Sequence, residues 1–296
     1  MKIARVQKDG QVRLALVDEA RQEVALIGGE LAAHPNPVLQ VIQQGVTPAQ
    51  LQAAVTERVP LAQVKFLAPF SAFLRNPFAV GKNYHEHALE FDKSGFNATS
   101  GKDSAIPQYP QIFTKATLTL NGPTDPIRYN PKHTQSVDYE GEIGVVIGKT
   151  ARNVKKADAM QYVWGFVATN DVTARDLQKN HAQWFLGKSL DGFCPLGPWI
   201  TTTDEAPTDM RMQTWVNGEL RQNAHISQLI FDIPTLIETM SAAMTLLPGD
   251  LILTGTSVGV GVGFNPPKFL KHGDVVRVAI TGLGELNNRV EAVEPA

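Results

Sequence analysis

The sequence predicts a β-rich α+β fold, and three observations carry that prediction. Short segments with period-two alternation of apolar and polar residues recur along most of the chain. Helical spacing is confined to a few segments, which do not interleave with strands in the βαβ order of a doubly wound sheet. Turn residues punctuate the strands, above all Asn217-Gly218, a pair that supplies positive φ at both central positions of a hairpin.

Taken in order, residues 1–72 read as a small N-terminal α/β unit. Lys2–Val6, Gln11–Val17 and Glu23–Ile27 alternate like a short antiparallel meander. Pro37–Gln44 and Pro48–Val55 have helical spacing, each opened by a proline at a tolerated first-turn position. Pro69–Pro77 connects to a second, larger unit, residues 73–296. There Phe78–Val80 passes through Gly81 into a short helix, Tyr84–Phe91. Residues 92–110 are polar and too long for an ordinary connection, so we expect a lid that orders over bound substrate. Strands are expected at Gln111–Lys115, Ser136–Gly148, Tyr162–Thr169 and Leu196–Thr202, then the Asn217-Gly218 hairpin. A helix over Pro234–Leu247 ends at Pro248-Gly249-Asp250 and leads into Leu251–Gly255, and Val275–Ile280 pairs with Leu286–Val293.

Composition narrows the function. The chain has 296 residues, 43% hydrophobic and 19% charged, with a formal net charge of −2, so nothing draws it globally to nucleic acid or an anionic membrane. No run of ~18 apolar residues suggests a transmembrane helix. Met1–Val6 alternates like a strand and lacks the apolar stretch of a signal peptide, so a cytoplasmic protein is expected. A lone cysteine, Cys194, excludes an intramolecular disulfide and a Cys-based zinc site, and reads as a small core residue.

The strongest local feature is Val137–Ile147. In a strand, Asp138, Glu140 and Glu142 share one face, opposite Val137, Tyr139, Ile143, Val145 and Ile147. The plain reading is a half-buried strand with a wet face. The functional one is that Glu140 and Glu142 hold a hard divalent cation, because close carboxylates repel unless a cation or protons lie between them. Mg²⁺ favours such oxygen donors and keeps positions for water or substrate. Asp171, just beyond an apolar strand, offers a third carboxylate, although Asn170-Asp171-Val172-Thr173 also reads as a turn.

A second cluster is Asn83–Glu90. On a helix His87 and Glu90 lie three apart and are neighbours. A carboxylate beside an imidazole orients it and raises its basicity, which suits a general base. His85 with Glu86 is the competing pair, and spacing does not choose between them. Zinc held by His85 and His87 is disfavoured, because i,i+2 ligands splay on a helix. Lys115, Lys188 and Thr256 are further candidates for substrate contact. Gly259–Gly263 lacks the Gly-Lys-Ser/Thr ending of a phosphate loop, so no nucleotide is expected there.

As a set, and in this order, these segments resemble the fumarylacetoacetate hydrolase superfamily. The matching stretches are Val80–Glu90, Asp138–Gly144, Asn170–Gln178, Gly187–Asp191 with Pro195, and Pro248–Thr256. The resemblance implies a mixed β-sandwich or roll for the catalytic unit, a homodimer, and Mg²⁺ or Mn²⁺ on Glu140, Glu142 and Asp171. It implies His87 and Glu90 as the water-activating pair, Lys188 as the active-site lysine, and Arg175 and Gln178 near the leaving enolate. Gly255 and Thr256 match a segment that binds the substrate carboxylate. The eukaryotic-type fumarylacetoacetate hydrolases carry an extra Asp ligand a few residues before the His; residues 80–86 here contain no Asp.

The expected activity is hydrolysis of a C–C bond in an acylpyruvate or related 2,4-dioxo acid through an enolate held by the metal, in catabolism of aromatic compounds or sugar acids. The alternative is decarboxylation, tautomerisation or dehydration of a 2-oxo acid at the same site. A non-catalytic metal-binding module is disfavoured by the intact His–Glu pair and Lys188.

Overall fold

The computed structural model describes residues 1–96 and 105–294. The middle of the expected lid, residues 97–104, lies outside the described residues.

The N-terminal segment forms strands β1 (Lys2–Lys8), β2 (Gln11–Asp18) and β3 (Glu23–Ile27), then helices α1 (Gly29–Ala33), α2 (Pro37–Gln44) and α3 (Pro48–Ala53). It closes with β4 (Val55–Pro60) and β5 (Lys65–Leu67). The meander and both proline-started helices are where the sequence puts them. The helix expected to reach Val55 stops at Ala53, and Val55-Thr56 opens a strand, because β-branched side chains fit the pleated surface better than a helix end.

The chain continues through β6 (Phe78–Gly81), α4 (His85–Lys93), β7 (Gln111–Thr114), β8 (Leu120–Asn121) and β9 (Ile127–Tyr129). Asp92 and Lys93 therefore extend α4 and do not begin a loop. Next come β10 (Val137–Asp138), β11 (Gly141–Ile147), β12 (Val163–Asn170), β13 (Thr173–Ala174), α5 (Arg175–Asn180), α6 (Phe185–Lys188) and β14 (Cys194–Thr202). The last part holds β15 (Arg211–Val216), β16 (Glu219–His225), α7 (Ile233–Ala243), β17 (Leu251–Leu253), β18 (Val275–Ile280) and β19 (Gly284–Ala292). Asn217 and Gly218 turn β15 into β16 with φ of 51° and 83°, as the hairpin signal requires.

A large sheet runs β4-β3-β2-β1-β14-β12-β11-β17-β6-β7, with β5 added to β1 and β8 to β14. A second sheet runs β16-β15-β18-β19-β9. One core lies between them, where Ile143, Val145 and Ile147 of β11 meet Met212, Val276, Val278 and Leu286. The other face of the large sheet is covered by α2 and α3, with Val146 and Val167 in a core shared with Val38, Val41 and Leu51. Each fully buried aliphatic side chain contributes roughly 1.5–3 kcal/mol to this stacking. The sheets pack closely at Gly141, where an added Cβ would stand 2.4 Å from the Thr214 hydroxyl. Only a residue without a side chain fits there. Among the described residues no helix is long and apolar enough to cross a membrane.

With both faces covered, every residue of β11 is buried, so the expectation of a wet face is overturned. The expected continuous strand over 136–148 is also broken: Tyr139 and Glu140 lie between β10 and β11.

Candidate active site

The three carboxylates meet because of one pairing register. β11 and β12 pair Gly141 with Asn170 and Glu142 with Thr169, so the next step outward sets Glu140 opposite Asp171. The Asp171 amide donates to the Glu140 carbonyl at 2.8 Å, and the Glu140 amide donates to the Asn170 side-chain oxygen at 2.9 Å. Donor oxygens of Glu140, Glu142 and Asp171 all lie within 4.8 Å of one another, and all three residues are buried.

Cations surround this cluster unevenly. The Lys188 ammonium, carried by α6, lies 2.6 Å from Glu140 and 2.7 Å from Asp171. Lys115 lies 2.6 Å from Asp171 Oδ1 and donates to the Val172 carbonyl. Arg175 donates through Nε to Asp138 at 2.8 Å and through Nη1 to Gln178, and its Nη2 sits 2.7 Å from Glu140. Burial opposes the charged form of Glu140, but Lys188 and Arg175 outweigh it and hold the carboxyl down to about 2.

Glu142 differs. Its partner is the Gly255 amide at 2.7 Å, and among the described residues no cation lies within ion-pair distance of it. Burial, then the negative charges of Asp171 and Glu140, push its carboxyl well above the usual range. Three buried carboxylates this close, one of them with no cation at ion-pair distance among the described residues, are what a divalent cation would neutralise, so the donor set fits a hard metal ion.

The base candidates separate cleanly. His85 and Glu86 are exposed on α4, whereas His87 is only 5% exposed and lines a small cavity shared with Glu140 and Glu142. His87 Nδ1 is 3.2 Å from Glu90 Oε2. Glu90 is held in turn by the Gly259 amide at 3.1 Å.

Arg175, Gln178, Lys188 and Thr256 line the same cavity. Thr256 donates its hydroxyl to the Gly141 carbonyl and accepts from Gln222, so its side chain is already committed. The Gly255 amide is likewise taken by Glu142. Lys115, read from the sequence as a substrate contact, is fully buried behind Asp171 and does not line the cavity. It pairs with Asp171 instead.

Two residues are not among the candidate site residues read from the sequence. Asp138, expected on the wet face, is fully buried and accepts from the Gly261 and Val262 amides as well as from Arg175. It ties the glycine-rich 259–263 segment to the guanidinium that touches Glu140. Lys82 also lines the cavity, beside Phe91. The signal for Asp138 was its place two residues before Glu140; for Lys82 it was the strand-to-helix turn at Gly81.

The family described as "Fumarylacetoacetate (FAA) hydrolase C-terminal" matches residues 76–291. The chain belongs to the fumarylacetoacetate hydrolase family. Residues 1–69 match a second description, "Rv2993c-like, N-terminal". Within the fumarylacetoacetate hydrolase family, the chain is 45% identical over 232 residues to oxaloacetate tautomerase YisK of Bacillus subtilis, covering 78% of this chain and 74% of that one. A fumarylacetoacetate hydrolase structure from psychrophilic Exiguobacterium antarcticum superposes with a TM-score of 0.84 at 40% identity, covering 99% of this chain and 100% of that one. Maleylpyruvate hydrolase from Sphingobium sp. SYK-6, in complex with manganese(II) and pyruvate, gives a TM-score of 0.74 at 31% identity, with 99% and 100% covered.

Proposed function

We propose that this fumarylacetoacetate hydrolase family member is a divalent-metal-dependent enzyme that interconverts the keto and enol forms of a short 2-oxo acid. The single observation carrying the reading is the His87–Glu90 contact at 3.2 Å on the wall of a cavity shared with Glu140 and Glu142. The likeness to an oxaloacetate tautomerase supports it and makes oxaloacetate the first compound to assay.

Glu140, Glu142 and Asp171 would hold Mg²⁺ or Mn²⁺. Such an ion, when bound, supplies Lewis-acid polarisation of the 2-oxo group. Glu90 occupies His87 Nδ1 and fixes the ring, which leaves Nε2 to exchange protons. His87 removes a proton from the carbon beside the 2-oxo group, and a proton returns on the oxygen. Lys188 keeps a fixed positive charge at the same cluster, where preorganised charge stabilises a developing oxyanion. Water is not a reactant in this scheme.

A second reading uses the same pair differently. His87 would activate water for C–C cleavage of an acylpyruvate, and the likeness to hydrolase structures supports that chemistry. A cytoplasmic location, expected from the sequence, and a homodimer, expected from the resemblance, belong to the same proposal.

The test is to follow loss of the enol absorbance of oxaloacetate, with Mg²⁺ alone and with Mg²⁺ plus enzyme, beside an assay of pyruvate release from an acylpyruvate panel. We expect enzyme to accelerate enol loss above the metal background. No acceleration, with pyruvate released from an acylpyruvate, would reject the first reading for the second.

A further inference from the structure

Among the described residues three lysine or arginine side chains line the cavity, and two of them are paired. Lys188 is shared between Glu140 and Asp171, and Arg175 between Asp138 and Glu140. Lys82 is the third. It is only 4% exposed, and among the described residues no carboxylate lies within ion-pair distance of its ammonium. The carboxylate that acts on it through space is Asp92, one helical turn beyond His87, and burial outweighs that attraction and lowers the Lys82 pKa. Its other neighbour is the Phe91 ring, whose centroid lies 5.8 Å from Nζ; the Arg175 guanidinium carbon lies 5.6 Å from the same ring.

The backbone is built to put a side chain there. β6 ends at Gly81, and Lys82 adopts φ of 54°, a left-handed conformation that residues other than glycine avoid. Asn83 locks the turn. Its side-chain amide donates to the Thr254 carbonyl at 2.8 Å and the Phe231 carbonyl at 3.0 Å, while its oxygen accepts from the Phe231 amide at 2.8 Å. The turn thus aims a charged side chain into a cavity whose described residues place no carboxylate within ion-pair distance of it. An unpaired buried ammonium is costly unless an anion arrives to pair with it.

We infer that Lys82 is a carboxylate-binding residue that selects substrates with a second carboxylate, so the natural substrate is a 2-oxo dicarboxylate. The inference rests on the 2-oxo acid reading above and narrows it. The cluster of Glu140, Glu142 and Asp171 serves the 2-oxo acid end, through the metal. That end is common to mono- and dicarboxylates and cannot tell them apart. Lys82 supplies the difference, since its charge stays unpaired when the far end of the substrate is a methyl group.

The experiment measures binding and needs no turnover. With Mg²⁺ present, oxalate is titrated calorimetrically into wild type, Lys82→Met and Lys82→Arg. Oxaloacetate and 2-oxobutanoate, which has a methyl in place of the second carboxylate, then compete against it. Lys82→Met keeps the length of the side chain and removes its charge. In wild type oxaloacetate should bind about 10- to 100-fold more tightly than 2-oxobutanoate, the range expected of one charge-assisted contact. In Lys82→Met that ratio should fall to within about threefold of unity, with oxalate affinity unchanged, which also reports an intact fold and metal site. Lys82→Arg should keep most of the preference. A preference that survives Lys82→Met overturns the inference while leaving the 2-oxo acid reading standing. Failure of wild type to bind oxalate or either 2-oxo acid overturns both.

Discussion

Asp171 donates its backbone amide to the Glu140 carbonyl at 2.8 Å, one step past the last paired residues of β11 and β12. The contact makes the carboxylate cluster a product of strand register. A one-residue slip would turn the carboxylates to opposite faces. Glu142 is the one of the three that sits within a strand.

Replacing Glu142 with Gln should keep the acceptor for the Gly255 amide and remove one ligand charge. Mg²⁺ affinity should fall by about 100-fold or more, beyond the 10–100-fold that loss of an outer partner costs. The metal-free variant should melt no lower than wild type, since repulsion from Asp171 and Glu140 is relieved. Calorimetric Mg²⁺ titration and melting curves in chelator check both halves.

Glu142 also sets a pH dependence. Burial, then Asp171 and Glu140, raise its carboxyl, so the metal-free protein retains a proton that a divalent cation must displace. Mg²⁺ affinity should therefore climb with pH, by up to about tenfold per unit, from the ordinary glutamate range up to the raised value and then level off. The stability contribution has the opposite sign. A raised folded-state pKa stabilises fully at pH below the unfolded value, and that gain is lost as pH rises through the folded value. Metal-free protein should lose stability across this window and metal-loaded protein should not. Parallel melting series from about pH 5 to about pH 8 would read the divergence; an Mg²⁺ affinity flat with pH would contradict it.

His87→Ala should lower kcat by about 10²–10⁴, the usual contribution of a general base, with Mg²⁺ affinity unchanged because no ligand is lost. Glu90→Gln should cost less, about tenfold, since Glu90 orients the ring and does not itself take the proton. Activity of His87→Ala within about a factor of two of wild type would remove His87 from the mechanism.

Gly263→Ala offers a test of orientation from outside the site. A Cβ there would fall 1.9 Å from Glu90 Oε1, so the carboxylate must rotate away from His87. The displacement also breaks the hydrogen bond from the Gly259 amide, a modest loss of about 1 kcal/mol. Activity should fall about as far as in Glu90→Gln while the melting temperature changes by only a few degrees. Unchanged kcat would mean that Glu90 does not tune the base.

What the sequence makes legible of the candidate site is local, with the choice of His87 over His85 left to the family resemblance. Glu140 and Glu142 are two apart, His87 and Glu90 three apart, and short-range geometry brings each pair together whatever the rest of the chain does. What it hides is long-range. The break at Tyr139–Glu140 turns Asp138 toward Gly261 and Val262, residues more than a hundred positions away, and no local pattern announces that. Lys115 looks like any strand-end lysine until Asp171 is placed against it. The wet face expected of Val137–Ile147 fails because polar alternation reports solvent only when one side of a sheet is open, and both sides of β11 are covered. Strand β4 is missed because Pro48 gives a strong helix start and nothing in Leu51–Val55 marks the stop.

Ile3 of β1 pairs with Ile200 of β14, which pairs on its other side with β12, the strand that leads into Asp171. The N-terminal meander is thus stitched by main-chain hydrogen bonds to the catalytic half of the molecule. Cutting the chain after residue 72 would strip β14 of its neighbour and leave a bare, apolar sheet border two strands from Glu142. Such a border recruits any extended chain that collides with it. The fragment carrying every candidate catalytic side chain would then be prone to precipitate, a fate decided by an unsatisfied ladder and not by a damaged active site.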